Sequence, residues 1–98
     1  MDLSRGAGQA MLAAMTLEER FKDAQDRVKT LSSAPGNDTL LDLYALYKQG
    51  STGDVSGSRP GMMDFKGRAK FDAWTKKKGM SKDKAMEGYV AHVDRLVK

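Results

Sequence analysis

The sequence predicts an all-α protein of four helices, and three observations carry that expectation. Four segments open on a helix start signal and continue with apolar residues three and four apart. No segment alternates apolar and polar residues as a half-buried strand does. A chain of 98 residues, 40% of them hydrophobic and 7% aromatic, can close one modest core and no second one.

Thr16-Leu17-Glu18-Glu19 fits a capping box, in which the Thr16 hydroxyl accepts from the Glu19 backbone N–H and the Glu19 carboxylate reaches back. The first helix starts there and runs along the stripe Phe21, Ala24, Val28 and Leu31 until Ser32-Ser33-Ala34-Pro35-Gly36 stops it. Asn37 or Asp38 caps the second helix. Its Leu40, Leu41, Leu43, Tyr44, Leu46 and Tyr47 are apolar around much of the circumference, so it is expected to be the most buried element. Gly50-Ser51-Thr52-Gly53 ends it. The connection from Gly50 to Met63 holds four of the ten glycines and Pro60, a long loop rich in turn residues.

Asp64 caps the third helix, which runs through Phe65, Ala69, Ala73 and Trp74 to Lys76-Lys77-Lys78, with Gly79 just past its end. The lysines suit the negative end of the helix dipole. Ser81 caps the fourth, where Met86, Tyr89, Val93 and Leu96 repeat at steps of three and four toward the C-terminus. Residues 1 to 15 carry neither cap nor clear period and are expected to form a disordered or loosely ordered extension ahead of a four-helix domain at 16–98.

Composition removes several function classes. With no cysteine and a single histidine, His92, there is no disulfide framework, no thiolate site and no imidazole cluster to hold a metal. His92 is flanked by apolar Ala91 and Val93 and reads as a structural residue. The carboxylates form no acid–base pair at a diagnostic spacing, and Asp72 and Asp83 read as helix-surface charges, so no enzyme is expected. Of the seven methionines, Met62, Met63, Met80 and Met86 fall at loop edges or on an apolar stripe and read as adaptable packing. No stretch approaches the roughly 18 to 20 apolar residues of a membrane span, and the expected location is the cytoplasm. The net charge of +4 lies wholly beyond Ala34, since the residues up to it carry five basic against five acidic side chains. A local basic excess points to an anionic partner, which composition alone leaves open among nucleic acid, membrane surface and a phosphorylated small molecule.

At about 100° per residue, Tyr44, Tyr47 and Lys48 of the second helix share one sector about 100° wide. They read either as core tyrosines beside a snorkelling lysine, or as a flat aromatic surface for a ring with a cation for a phosphate. Lys66 and Lys70, four apart on the third helix, project to the same side. A solvated face explains them as readily as a binding one.

The segments Leu43-Tyr44-Ala45-Leu46-Tyr47-Lys48-Gln49, Gly53-Asp54, Arg59-Pro60-Gly61-Met62, Asp64-Phe65-Lys66-Gly67-Arg68-Ala69-Lys70, Asp72-Ala73-Trp74 and Lys78-Gly79, in this order and spacing, resemble the acyl-CoA-binding protein family. The likeness extends from about Phe21 to Leu96. It implies a four-helix bundle of up-down-down-up topology with a long loop between helices 2 and 3. It also implies a carrier that binds long-chain fatty acyl-CoA one-to-one, with no catalysis and no cofactor. By position, the family's nucleotide-binding residues fall on Lys29, Tyr44, Tyr47, Lys48, Lys70 and Tyr89, and Lys66 falls on a lysine that many members carry.

On this resemblance Lys48 and Lys70 flank the 3′-phosphate, to which the Tyr44 hydroxyl donates, and Tyr47 offers its ring to the adenine. Lys29 addresses the pyrophosphate, and Tyr89 closes the adenine site. On face and neighbourhood, Ala24, Leu40 and Leu41 are the candidates for tail contacts. The partner is the acyl-CoA ligand, with no nucleic acid, at most transient membrane contact, and a monomeric protein. Three departures stand out: Phe71 where the family usually has tryptophan, Gly50-Ser51 for a commoner Ala-Thr, and Gly88 inside the last helix, at about 1 kcal/mol relative to alanine. The alternative reading is a basic helical module for nucleic acid or anionic membrane, although no helix carries Arg and Asn as base readers. An acyl-CoA sensor reporting to a protein partner is a third.

Overall fold

The computed structural model describes residues 15–97; of the extension expected at residues 1 to 15, all but Met15 lie outside the described residues. The described residues hold four helices and no strand: α1 (Leu17–Val28), α2 (Asn37–Ser51), α3 (Phe65–Thr75) and α4 (Lys82–Leu96).

Three of the four start signals act as read. Thr16 and Glu19 close both halves of the capping box at 3.1 Å, Asp64 accepts from Gly67 N–H at 2.9 Å, and Ser81 accepts from Lys84 N–H at 3.1 Å. The α2 start differs. Its N-cap is Gly36, with no side-chain cap bond, so Asn37 already lies in the helix and Asp38 serves only as first-turn acid.

Two helix ends also differ from the sequence reading. Lys29 and Thr30 donate to carbonyls three residues back, at 3.2 and 3.0 Å, and the Thr30 hydroxyl takes the Arg27 carbonyl at 2.6 Å. The tightened turn ends α1 at Val28, three residues short of Leu31. Gly50, read as a stop, lies inside α2; the left-handed residue after the helix is Gly53, at φ +98°. All three lysines, Lys76, Lys77 and Lys78, sit beyond the last residue of α3, Thr75, and Gly79 takes φ +92°.

Side-chain contacts set the directions. Arg27 near the end of α1 meets Asp94 near the end of α4 at 2.7 Å, so these helices run parallel. Asp42 early in α2 meets His92 late in α4, while Gln49 late in α2 bonds the Met80 carbonyl just before α4, so α2 and α4 are antiparallel. Tyr44 pairs with Lys70 and Lys48 with Trp74, which makes α2 and α3 parallel. The topology is up-down-down-up, with α4 seated on α1 and α2, and α3 packed on α2 alone.

The core therefore lies among α1, α2 and α4: Phe21, Ala24, Leu43, Leu46, Ala85, Met86, Tyr89 and Val93. The two unusual glycines sit where helices cross. A Cβ on Gly50 would stand 3.1 Å from Met86 Cγ and 3.2 Å from Phe21 Cζ, and one on Gly88 would stand 3.2 Å from Leu46 Cδ2. Glycine costs helix propensity here and gains close approach of α2 to α4, with the tip of the Phe21 ring also against Gly50. The long connection is tied at three points. The Trp74 indole donates to the Gly53 carbonyl at 2.8 Å, Arg59 grips Asp72 through two bonds of 2.9 and 2.7 Å, and Asp54 accepts from buried Gln49 and from Gly79 N–H, both at 2.8 Å.

Candidate functional site

Because α3 leans on one neighbour only, its seam with α2 stays open on both sides. Small residues Ala45, Ala69 and Ala73 let the two helices approach, and a cavity flanks the seam on each side. The two differ in charge. One, of about 410 Å³, is lined by Asp38, Asp42 and Asp72 as well as Lys76 and Lys77. The other, of about 450 Å³, is lined by Leu40, Leu41, Phe65, Tyr44, Lys66 and Lys70, with Asn37 and Ala69, and holds no carboxylate. An anion with an apolar tail is attracted to the second and repelled by the acidic lining of the first.

The sequence-derived site residues divide between this cavity and its surroundings. Leu40, Leu41, Tyr44, Lys66 and Lys70 line it. Lys70 Nζ stands 5.3 Å from the Tyr44 ring centre, and Lys48 Nζ stands 4.8 Å from that of Trp74, so two cations rest on aromatic faces, where the ring quadrupole favours them. Lys48 is half-buried, while Lys66 and Lys70 are exposed. None of the three forms an ion pair with a carboxylate among the described residues.

Tyr47 and Tyr89 do not line that cavity. They flank Phe21, whose ring lies 6.1 Å from Tyr47 and 5.1 Å from Tyr89, the latter edge-on. Tyr47 is exposed and Tyr89 buried. Burial, and to a smaller extent the neighbouring Tyr47, pushes the Tyr89 phenol above its ordinary value, which keeps it a neutral hydroxyl. The sector on α2 is thus a shared edge: Tyr44 turns toward α3, Tyr47 toward α1 and α4. Lys29 is the exposed C-cap of α1, at the end of the bundle where α2 begins. Ala24 is fully buried in the core and is not among the residues lining the cavity.

Other residues behave differently from their sequence reading. His92, read as a structural residue, meets an acidic partner on α2, Asp42 Oδ2 at 3.2 Å, and Asp42 also holds Lys77 at 2.9 Å. Asp72 is no idle surface charge, since Arg59 grips it and holds its carboxyl below the usual range. Met62 and Met63 fill no gap: they are 75% and 88% exposed. Phe65, read only as a helix residue, lines the cavity while 75% exposed, and Trp74 supplies the platform for Lys48. The cue for Phe65 was its place one position after the helix cap, four residues before Ala69 and on the same side as the seam.

Among the described residues there is no group of three or more potential metal ligands and no helix long and apolar enough to cross a membrane. The site offers an apolar wall, three cations and aromatic rings, which suits binding of an amphiphilic anion.

The family model described as "Acyl CoA binding protein" matches residues 18–93. The chain is similar to acyl-CoA-binding protein homolog 1 of Caenorhabditis elegans, 54% identical over 83 residues that cover 85% of this chain and 94% of the relative. It is also similar to an acyl-CoA-binding protein homolog of Manduca sexta, at 50% identity over 85% of this chain and 93% of the relative. Among solved structures, the crystal structure of Oryza sativa acyl-CoA-binding protein 2 superimposes with a TM-score of 0.80 at 40% identity, covering 84% of this chain and 91% of that one.

Proposed function

Because the chain belongs to the acyl-CoA-binding protein family, we propose that it binds long-chain fatty acyl-CoA thioesters one-to-one and acts as a carrier and buffer of acyl-CoA. The observation that carries this reading is the charge asymmetry across the α2–α3 seam: the cavity that joins Leu40, Leu41 and Phe65 to Tyr44, Lys66 and Lys70 contains no carboxylate, whereas its opposite number holds three. An acyl-CoA carries a long apolar tail at one end and a 3′-phosphate and pyrophosphate at the other. Leu40, Leu41 and Phe65 take the first methylenes, each worth about 0.8 kcal/mol on burial. Lys48 and Lys70 stand on either side of the 3′-phosphate, with the Tyr44 hydroxyl donating to it, and Lys66 adds a further positive charge.

Tyr47 is exposed beside Phe21 and Tyr89, where an adenine ring stacks on it. Lys29, at the end of α1, addresses the pyrophosphate. Tyr89 backs the aromatic cluster from the core, and buried Ala24 fixes the separation of α1 from its neighbours. The binding unit is residues 16–98. It works as a cytoplasmic monomer, with no catalytic step, no cofactor and no nucleic acid.

Isothermal titration calorimetry with hexadecanoyl-CoA, beside free coenzyme A and free palmitate, tests the reading. The expected result is tight one-to-one binding of the thioester and far weaker binding of either fragment, because tail and nucleotide sites act together. No heat with the thioester overturns it.

A further inference from the structure

The three most exposed large hydrophobic side chains among the described residues, Met62, Met63 and Phe65, fall within four consecutive positions where the long loop enters α3. Met62 and Met63 are 75% and 88% exposed, neither belongs to the core cluster, and neither lines either cavity beside the α2–α3 seam. Three such neighbours in water are unfavourable unless something covers them. Next to them Lys66 and Lys70 project from the first turns of α3, both exposed and without an ion pair among the described carboxylates, while the exposed Asp64 caps the helix by accepting from Gly67 N–H. From Pro60 to Phe71 the chain carries Lys66, Arg68 and Lys70 against Asp64 alone.

We propose that this loop tip is a docking surface for an anionic bilayer, with Met62, Met63 and Phe65 entering the interface and Lys66 and Lys70 facing the headgroups. Apolar tips ringed by cations bind such surfaces by adding burial to charge attraction, and each part alone is weak. Charge complementarity favours a lipid surface over a protein groove, because the tip is short, adaptable in side-chain shape and carries three cations against the single Asp64, whose carboxylate is engaged in capping α3. The inference rests on the acyl-CoA reading for its purpose. Phe65 belongs both to the tip and to the cavity wall, so docking brings the tail end of the groove to the bilayer in which long-chain thioesters dissolve.

The test is vesicle flotation of the full chain at low salt, with phosphatidylcholine vesicles and with vesicles containing a quarter phosphatidylserine. Binding to the anionic vesicles is expected to exceed that to the neutral ones by about tenfold. The double variant Met62→Ser/Met63→Ser is expected to lose most of it, with unchanged helix content and unchanged solution affinity for hexadecanoyl-CoA by calorimetry. Absence of wild-type flotation overturns the proposal, as does undiminished flotation of the double variant, which would reduce the effect to charge alone. A loss of acyl-CoA affinity in that variant also overturns it, by assigning the methionines to the tail site. Failure of the carrier reading shows separately, as absence of heat when the wild-type protein is titrated with the thioester.

Discussion

Lys48 Nζ lies 4.8 Å from the centre of the Trp74 ring, and the same indole donates through Nε1 to the Gly53 carbonyl at 2.8 Å. One side chain of α3 thus holds the loop start and stations a cation of α2. A cation already placed loses less freedom when a phosphate arrives. Trp74→Phe keeps a ring but loses the N–H and part of the face; it is expected to cost about 1–3 kcal/mol of stability. Affinity for hexadecanoyl-CoA should then fall more than affinity for the analogue lacking the 3′-phosphate. Equal losses for the two ligands in calorimetry would mean that Trp74 acts through the fold alone.

Lys48→Ala separates binding from folding. The exposed part of its cation–π contact is worth about 0.5–1 kcal/mol, so the urea midpoint should move little. A hydrogen bond from a charged group is worth about 1.5–3 kcal/mol, so acyl-CoA affinity should drop by about tenfold or more. Tyr44→Phe keeps the ring beneath Lys70 and removes only the hydroxyl, for which a loss of about two- to tenfold is expected. Unchanged affinity in both variants would remove the phosphate from this end of the groove.

Much of this architecture was legible because it is local. Thr16, Asp64 and Ser81 announce helices α1, α3 and α4 through bonds that span three residues, and the structure makes each of those bonds. What stayed hidden depends on partners distant in sequence. Gly50 reads as a stop until Phe21 and Met86 are seen against it. His92 has no acid three or four residues away on its own helix, and Asp42 reaches it only because α2 runs antiparallel to α4. The Tyr44–Tyr47–Lys48 sector was visible, yet its division between two sides of α2 was not, since periodicity gives a face and not the helix that covers it. Family likeness supplied Lys29 and Tyr89, which no spacing rule would have joined to α2.

The two helix-crossing glycines should respond to alanine in opposite directions. Alanine gains about 1 kcal/mol of helix propensity. At Gly88 the new methyl meets chiefly one Leu46 methyl at 3.2 Å, which a small rotation relieves, so Gly88→Ala is expected to raise the melting temperature slightly. At Gly50 it meets Met86 Cγ, Phe21 Cζ and the Met86 backbone nitrogen at 3.1, 3.2 and 3.4 Å. Overpacking of that kind costs about 1–3 kcal/mol, so Gly50→Ala is expected to lower it. Thermal melts of both variants decide the signs.

Asp54 ties three segments through one oxygen. The Gly79 N–H and then the Gln49 amide hold its carboxyl below the ordinary value of 3.8. Since the unfolded chain takes up this proton first as pH falls, the contribution of Asp54 is fully present above that ordinary value and is lost as pH drops through the lower folded one. Asp54→Asn keeps an acceptor for both donors but cannot titrate. Wild type should therefore be the more stable at pH 7, and the gap in urea midpoints should close as pH falls through the lowered folded value. A gap that persists unchanged at low pH would remove Asp54 from the acid transition.

Acyl chain length tests the apolar wall directly. Leu40 is 44% and Phe65 75% exposed without ligand, so both have surface to lose when a tail lies against them. Each buried methylene is worth about 0.8 kcal/mol, and two of them tighten binding by up to about tenfold. Calorimetry with thioesters of increasing length should show affinity rising stepwise and then levelling once further methylenes extend beyond the cavity. Leu40→Ser should flatten the rising part and leave the affinity for free coenzyme A unaltered if, as proposed, this residue belongs to the tail wall. A flat response across the wild-type series would remove the tail from the α2–α3 seam and leave the lysines as a site for the nucleotide alone.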